Sequence, residues 1–205
     1  PNWDNTSTRP LDERYGAGEL NIYHAWLAMS AGRATSSNSI SNGIRGWAAE
    51  SASLISTKTY FFTSPAGPVP TPFCAALTWH RVIEDGLPAP IDWGNLYASM
   101  ADLNLRLHQA SGFTVGSQIS ESTSTVDNVE MIYQPALAPG NYALVIQTSS
   151  VISTPFALAW HSLPAVTVAA TQPIAREIDG QQATVTATFT GLDGKVMEST
   201  LKLAW

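Results

Sequence analysis

One stretch constrains the fold more than any other: Thr125 to Ile146, TVDNVEMIYQPALAPGNYALVI. Val129, Met131 and Tyr133 alternate with Asn128, Glu130 and Ile132. Pro135 and the Pro139-Gly140-Asn141 cluster then interrupt the chain. Beyond them Tyr142, Leu144 and Ile146 alternate with Ala143, Val145 and Gln147. Successive side chains of a strand point to opposite faces, so this period-two pattern between Pro and Gly predicts strand, turn, strand, each half-buried. It places Val129 and Met131 inward, beside Tyr142 and Leu144.

The same texture recurs. Residues 58–63, 73–80, 102–108, 114–119 and 154–161 read as further strands, with Pro and Gly at the breaks between them. Residues 84–99 form the longest insertion, carrying Pro88, Pro90, Trp93 and Tyr97. Leu77-Thr78-Trp79-His80 and Leu158-Ala159-Trp160-His161 echo each other, with a partial third copy at Leu203-Ala204-Trp205. Alternation puts Leu and Trp on one face and His on the other, as expected of facing strands that share a sandwich core. The expected interior is Leu77, Trp79, Leu103, Leu105, Leu107, Val129, Met131, Tyr142, Leu144, Leu158 and Trp160.

Residues 21–32 carry the one helical pattern. Asn21 can cap it, Ile22, Ala25, Trp26 and Met29 follow the i, i+3, i+4, i+7 stripe, and Gly32 can end it. So short a helix is not stable alone, so its stripe is expected to dock on another surface; in this chain that is the sandwich flank or a second copy, and otherwise the stripe stays exposed. The Ser, Asn and Gly of residues 33–46 read as a linker. After Pro164, residues 165–171, 182–190 and 198–205 are strand candidates too few for a second sandwich.

Composition removes whole classes. Charged residues are only 13% of the chain and the net charge is −6, with no basic run to follow a phosphate backbone. Nucleic acid is therefore not an expected partner. No segment approaches the ~18 apolar residues of a membrane span. Cys74 is the single cysteine, so no intrachain disulfide or thiolate-based metal site can form; it reads as a small buried hydrophobe. The chain starts at Pro1 with no signal peptide and reads as a piece of something larger.

Residues 12–26, DERYGAGELNIYHAW, resemble the end of a subtilisin-like serine peptidase domain, where a YGxGxxNxxxA-type stretch leads into the last helix. The remainder of the chain, to about residue 161, resembles the jelly-roll domain attached C-terminally to some large bacterial subtilases. The corresponding motifs stand in the family's order at Leu77 to His80, Ala101 to Leu107, Val126 to Glu130, Ala138 to Tyr142 and Phe156 to Trp160. Three positions depart: His80-Arg81 replaces the usual acidic residue, Ala101 stands for Asn, and Asn104 for the second Asp. The family's D-[ST]-G, H-G-T-H and G-T-S-M-A signatures are absent, so its catalytic activity does not carry over. The resemblance implies a non-catalytic accessory domain, secreted or in the cell envelope, with an upstream peptidase domain as partner. A protein or polysaccharide substrate is the further partner it implies.

Candidate sites can be weighed on chemistry alone. No Ser lies at a G-x-S-x-G elbow where a histidine could activate it. His80, His108 and His161 each end a strand and would hold Zn²⁺ only if those strands were neighbours. Asp102, Asp127, Asn128 and Glu130 offer the hard oxygens that suit Ca²⁺, though Asp127 and Asn128 equally suit turn capping. Calcium is the cofactor these oxygen-bearing residues suit, and none is required. Trp93 and Tyr97, with Trp47, are candidate stacking platforms for a sugar, set against the ordinary role of covering the core edge.

The expectation is an all-β chain: a jelly-roll β-sandwich with one N-terminal helix and a short C-terminal β extension. Residues 1–32 would be the tail of an upstream peptidase-like domain, 33–46 a linker, 47–163 the jelly roll and 164–205 an extension or the start of a further domain. The function expected is stabilising a peptidase or docking its substrate. The alternative is a carbohydrate- or cell-surface-binding module.

Overall fold

In the computed structural model, which describes residues 6–18, 20–65, 70–85, 96–162, 182–190 and 196–204, the period-two segments are strands. Helix α1 (Ile22–Ser30) is followed by β1 (Ser41–Asn42), β2 (Gly46–Ala52), β3 (Lys58–Ser64), β4 (Thr71–Trp79), β5 (Val82–Asp85) and β6 (Leu96–Ser99). Then come β7 (Leu103–Ser111), β8 (Thr114–Ser122), β9 (Val129–Leu137), β10 (Gly140–Thr148), β11 (Thr154–Ser162), β12 (Gln182–Thr190) and β13 (Val196–Ala204). The strand candidate at 165–171 lies outside the described residues, as do Trp93 and Trp205.

Four antiparallel pairs nest like a folded-over hairpin: β2 with β11, β3 with β10, β4 with β9, and β7 with β8. Pairing of β11 with β4 and of β10 with β7 joins them into two sheets, ordered β2-β11-β4-β9 and β1-β3-β10-β7-β8. That nesting is the jelly-roll arrangement of a β-sandwich. Leu77, Leu103, Leu105, Leu107, Leu144 and Leu158 fill the space between the sheets and are essentially inaccessible.

The strand–turn–strand of residues 125–146 is not a hairpin. β9 pairs with β4 and β10 pairs with β3 and β7, so the Ala138-Pro139 connection crosses from one sheet to the other. Register with β4 also reverses the expected face of β9. Leu77 and Ala75 point into the core, and opposite them stand Glu130 and Ile132. Val129, Met131 and Tyr133 face outward. A one-residue offset turns a whole strand over, and the neighbouring strand, not the local alternation, sets it. A register shift between Thr71 and Phe73 then brings Leu137 back inside.

The echoing Leu-x-Trp-His segments are adjacent strands of one sheet rather than facing strands of two. Leu77 lies opposite Leu158, while Trp79 and Trp160 fall at opposite ends of the pair. The expected long insertion carries the β5–β6 hairpin at its ends. Residues 182–190 and 196–204 form a second hairpin, paired without a shift. The tight β7–β8 turn places Gly112 at φ 57°, a left-handed conformation that favours glycine.

Residues 33–46, expected as a linker, are part of the sandwich. Ala34 N–H donates to Trp47 O (2.7 Å) beside β2, Ser37 N–H donates to Thr59 O (3.0 Å), and β1 runs parallel to β3. The segment covers the open edges of both sheets on that side, satisfying amides that an exposed edge would leave free.

Candidate functional site

Helix α1 begins as its sequence suggests. Asn21 Oδ1 accepts from His24 N–H (3.0 Å), and Gly32 follows the last turn at φ 91°. Its orientation is the second of the two expected outcomes, an exposed stripe. Ile22, Trp26 and Met29 of the expected docking stripe are 73%, 60% and 61% exposed, with Tyr23 and Leu20 exposed beside them. The docked side is His24, Leu27 and Ala28, which meets β2 and β11. The outer side is therefore an apolar face in which the rings of Tyr23 and Trp26 stack, 6.2 Å apart.

The four oxygen-bearing residues gather where β8 passes into β9. Glu130 is fully buried. Its carboxylate accepts from Ser122 Oγ–H and from Ser124 N–H (2.7 Å). Burial pushes its pKa up to about 7; the Asp102 and Asp127 charges add to the rise and the two hydrogen bonds oppose it. Asp127 Oδ2 accepts from Ser124 Oγ–H (2.8 Å), and Asn128 Nδ2 donates to Trp79 O (2.8 Å), closing the turn against β4. Asp102 Oδ1 is buried with no hydrogen-bond partner. Asp127 and Asn128 thus spend their side chains on the turn. Among the described residues no group of three or more His, Cys, Asp or Glu side chains is arranged to hold a metal ion.

The histidines expected to end strands do not converge. His108 is on β7 in the other sheet, with Nδ1 3.0 Å from Gly116 O. His80 and His161 lie at opposite ends of the β4–β11 pair. His161 instead meets His24 of α1, ring centroids 4.8 Å apart. Among the described residues Ser36, Ser122 and Ser124 donate to carboxylates directly, with no imidazole between. The relay that activates a serine is not built at any of them.

Trp93 lies outside the described residues, and Tyr97 stands in β6 opposite Glu84. Trp47 is half-buried on the outer face of the four-stranded sheet, its Nε1–H buried without a partner. Cys74 is likewise on that outer face, half-buried rather than in the core, opposite Tyr133 and His161.

No protein-family model and no curated protein matches the chain. Among solved structures it is similar to the pre-peptidase C-terminal domain of a collagenase from Bacillus anthracis. The two are 13% identical over 58% of this chain and 90% of that one, with a TM-score of 0.39. No residue or role transfers at that level of likeness.

Sequence reasoning missed two features. One is Glu50, which accepts from Ser36 N–H (2.9 Å), Ser36 Oγ–H (2.6 Å) and Tyr60 O–H (3.1 Å) and pairs with Lys58 (3.3 Å). Nothing local in GWAAESA marks it, because its partners come from β3 and the covering segment. The other is the His24–His161 pair, whose members are far apart in sequence.

Proposed function

We propose that this chain is a non-catalytic jelly-roll accessory module of a secreted subtilisin-like peptidase, and that the outer face of α1 packs on the catalytic body. The observation that carries the reading is that apolar face. A nine-residue helix presents Ile22, Tyr23, Trp26 and Met29 to solvent while its other side is already seated on the sheet. An apolar patch of this kind marks an interaction surface. The sequence motifs of residues 12–26 supply the identity of the partner. Ca²⁺ has no assigned part in this reading.

The coding sequence upstream is the test. The three peptidase signatures are expected there, and their absence overturns the reading. In the parent protein, Trp26→Ser with Met29→Ser should make the stretch around α1 a site of rapid proteolysis. The melt of the sandwich should not move, because its core cluster draws on no residue before Ala34. Deleting residues 1–32 should leave the sandwich folded for the same reason. A second reading, attachment to a polysaccharide, is favoured by the stacked Tyr23–Trp26 pair. Retention on an insoluble polysaccharide that is lost in Trp26→Ser would select it.

A further inference from the structure

Helix α1 is held by little. Ala28 is its one buried residue, and His24 and Leu27 are half-buried. Against that thin contact two imidazoles face each other, His24 from the helix and His161 from β11, with centroids 4.8 Å apart and planes at 37°. We propose that the His24–His161 pair is a pH-sensitive latch, which keeps α1 seated on the outer face of the four-stranded sheet at neutral pH and releases it on acidification.

The surroundings give the sign. His161 is flanked by Arg45, which precedes β2, by Cys74 across the β4 pairing, and by His24 above it. Burial, then the charges of His24 and Arg45, hold the His161 imidazole below its ordinary value of 6.5. Burial raises the Cys74 thiol, which therefore stays uncharged as the pH falls. His24 has the Tyr23 ring at 6.0 Å on its own helix. Both charges acting on His161 are positive. Seated, His161 binds a proton less readily than it does released, so undocking takes up a proton and lowering the pH drives it. Two adjacent imidazolium ions beside Arg45 would repel at contact distance in a partly dry site. A nine-residue helix that loses its support also loses its helicity, since isolated helices this short are marginal in water. Release is therefore readable as amide exchange within residues 22–30. The latch concerns the inner face of α1 and stands whatever meets the outer one.

The experiment uses the whole chain. Backbone exchange in residues 22–30 is followed at about pH 7.5 and about pH 5, each corrected for the intrinsic rate of an unstructured peptide, with β10 as internal reference. Protection of α1 is expected to fall about five-fold or more in acid while β10 is unchanged. His161→Gln should abolish the difference, and His24→Gln should shrink it, leaving the part due to burial and Arg45. The His161 Cε1–H resonance should titrate below that of a free imidazole, and in His24→Gln closer to it. Equal corrected protection at the two pH values overturns the latch. So does a pH dependence that survives His161→Gln, or one left undiminished by His24→Gln; neither side chain belongs to the sandwich core.

Discussion

The sandwich has two sides where its sheets must be closed against water, and each puts a glutamate there in a different electrostatic setting. On the β2–β3 side, residues 33–42 lie along both sheet edges and Glu50 ties the layers together. Burial alone would raise its pKa. Hydrogen bonds from Ser36, Tyr60 and Lys58 outweigh that and hold Glu50 below the ordinary carboxylate value. On the β8–β9 side, Glu130 is deeper, has two donors and lies within the field of two further carboxylates. A polar recess of about 370 Å³ opens there, walled by Gln118, Ser120, Glu121 and Tyr133, with Thr6 and Ser7 across it. A buried acid is stabilising where donors converge and costly where they do not. The first side is built for permanence; the second holds an acid that is uncharged over part of the working pH range.

Large truncations give the coarsest test. Trp160 belongs to the covered side: Nε1–H donates to Gly43 O (3.0 Å), the ring lies against Tyr60 (5.7 Å), and a Cβ on Gly46 would stand 3.0 Å from it. Trp79 belongs to the other, its Nε1–H donating to Ala101 O (2.7 Å). Each change to Ala should cost about 3–5 kcal/mol in urea denaturation. Trp160→Ala should be the worse, and the reverse order would mean that the β8–β9 side carries the sandwich.

The glutamates separate the two sides by pH. Glu130 is raised from 4.5 to about 7, so the stability linked to it is fully present below 4.5 and is lost as pH rises through 7. Glu130→Gln should therefore stabilise by about 2 kcal/mol at about pH 8 and do little at about pH 5. Glu50 is lowered, so its contribution is present above 4.5 and is lost as pH falls through its folded value. Glu50→Gln should destabilise by about 1–2 kcal/mol at neutral pH and by less in strong acid. As pH rises across this range the two variants should depart from the wild type in opposite senses, Glu130→Gln upward and Glu50→Gln downward. Parallel profiles would erase the distinction between the two sides.

The strands were legible because period-two alternation is local, and so were Asn21 and Gly32 at the ends of α1. Which face of β9 turns inward was not, because Leu77 and Ala75 of β4 decide it from more than fifty residues away. Hydrophobicity misled for the same reason: Met131 looks like core and Glu130 like surface until Ser122 and Ser124 supply donors. The stripe of α1 was legible but its exposure was only one of two outcomes, because amphipathicity identifies an apolar face, not what covers it. The oxygen cluster at Asp102, Asp127, Asn128 and Glu130 was found by residue type, but the closing of its turn on β4 depended on Trp79 O, which no spacing rule links to Asn128.

The smallest expected effect bears on the segment read as a linker. Asn42 holds it in place: Oδ1 accepts from Thr35 N–H (3.2 Å), and Nδ2 donates to Thr35 O and to Phe61 O (both 3.3 Å). These are long bonds on a half-buried side chain, and each nets about 1 kcal/mol or less after the water it displaces. Asn42→Ala should cost about 1 kcal/mol, a fall in melting temperature of roughly 2–4 °C for a domain of this size. The loss should come with faster exchange of the Ser37 amide, which donates to Thr59 O, and of the amides of β3, the strand that β1 covers. A flexible linker would show neither change, because its ordering contributes nothing to the folded state. An unchanged melt with unchanged β3 protection would return residues 33–46 to that role and leave both sides of the sandwich uncovered.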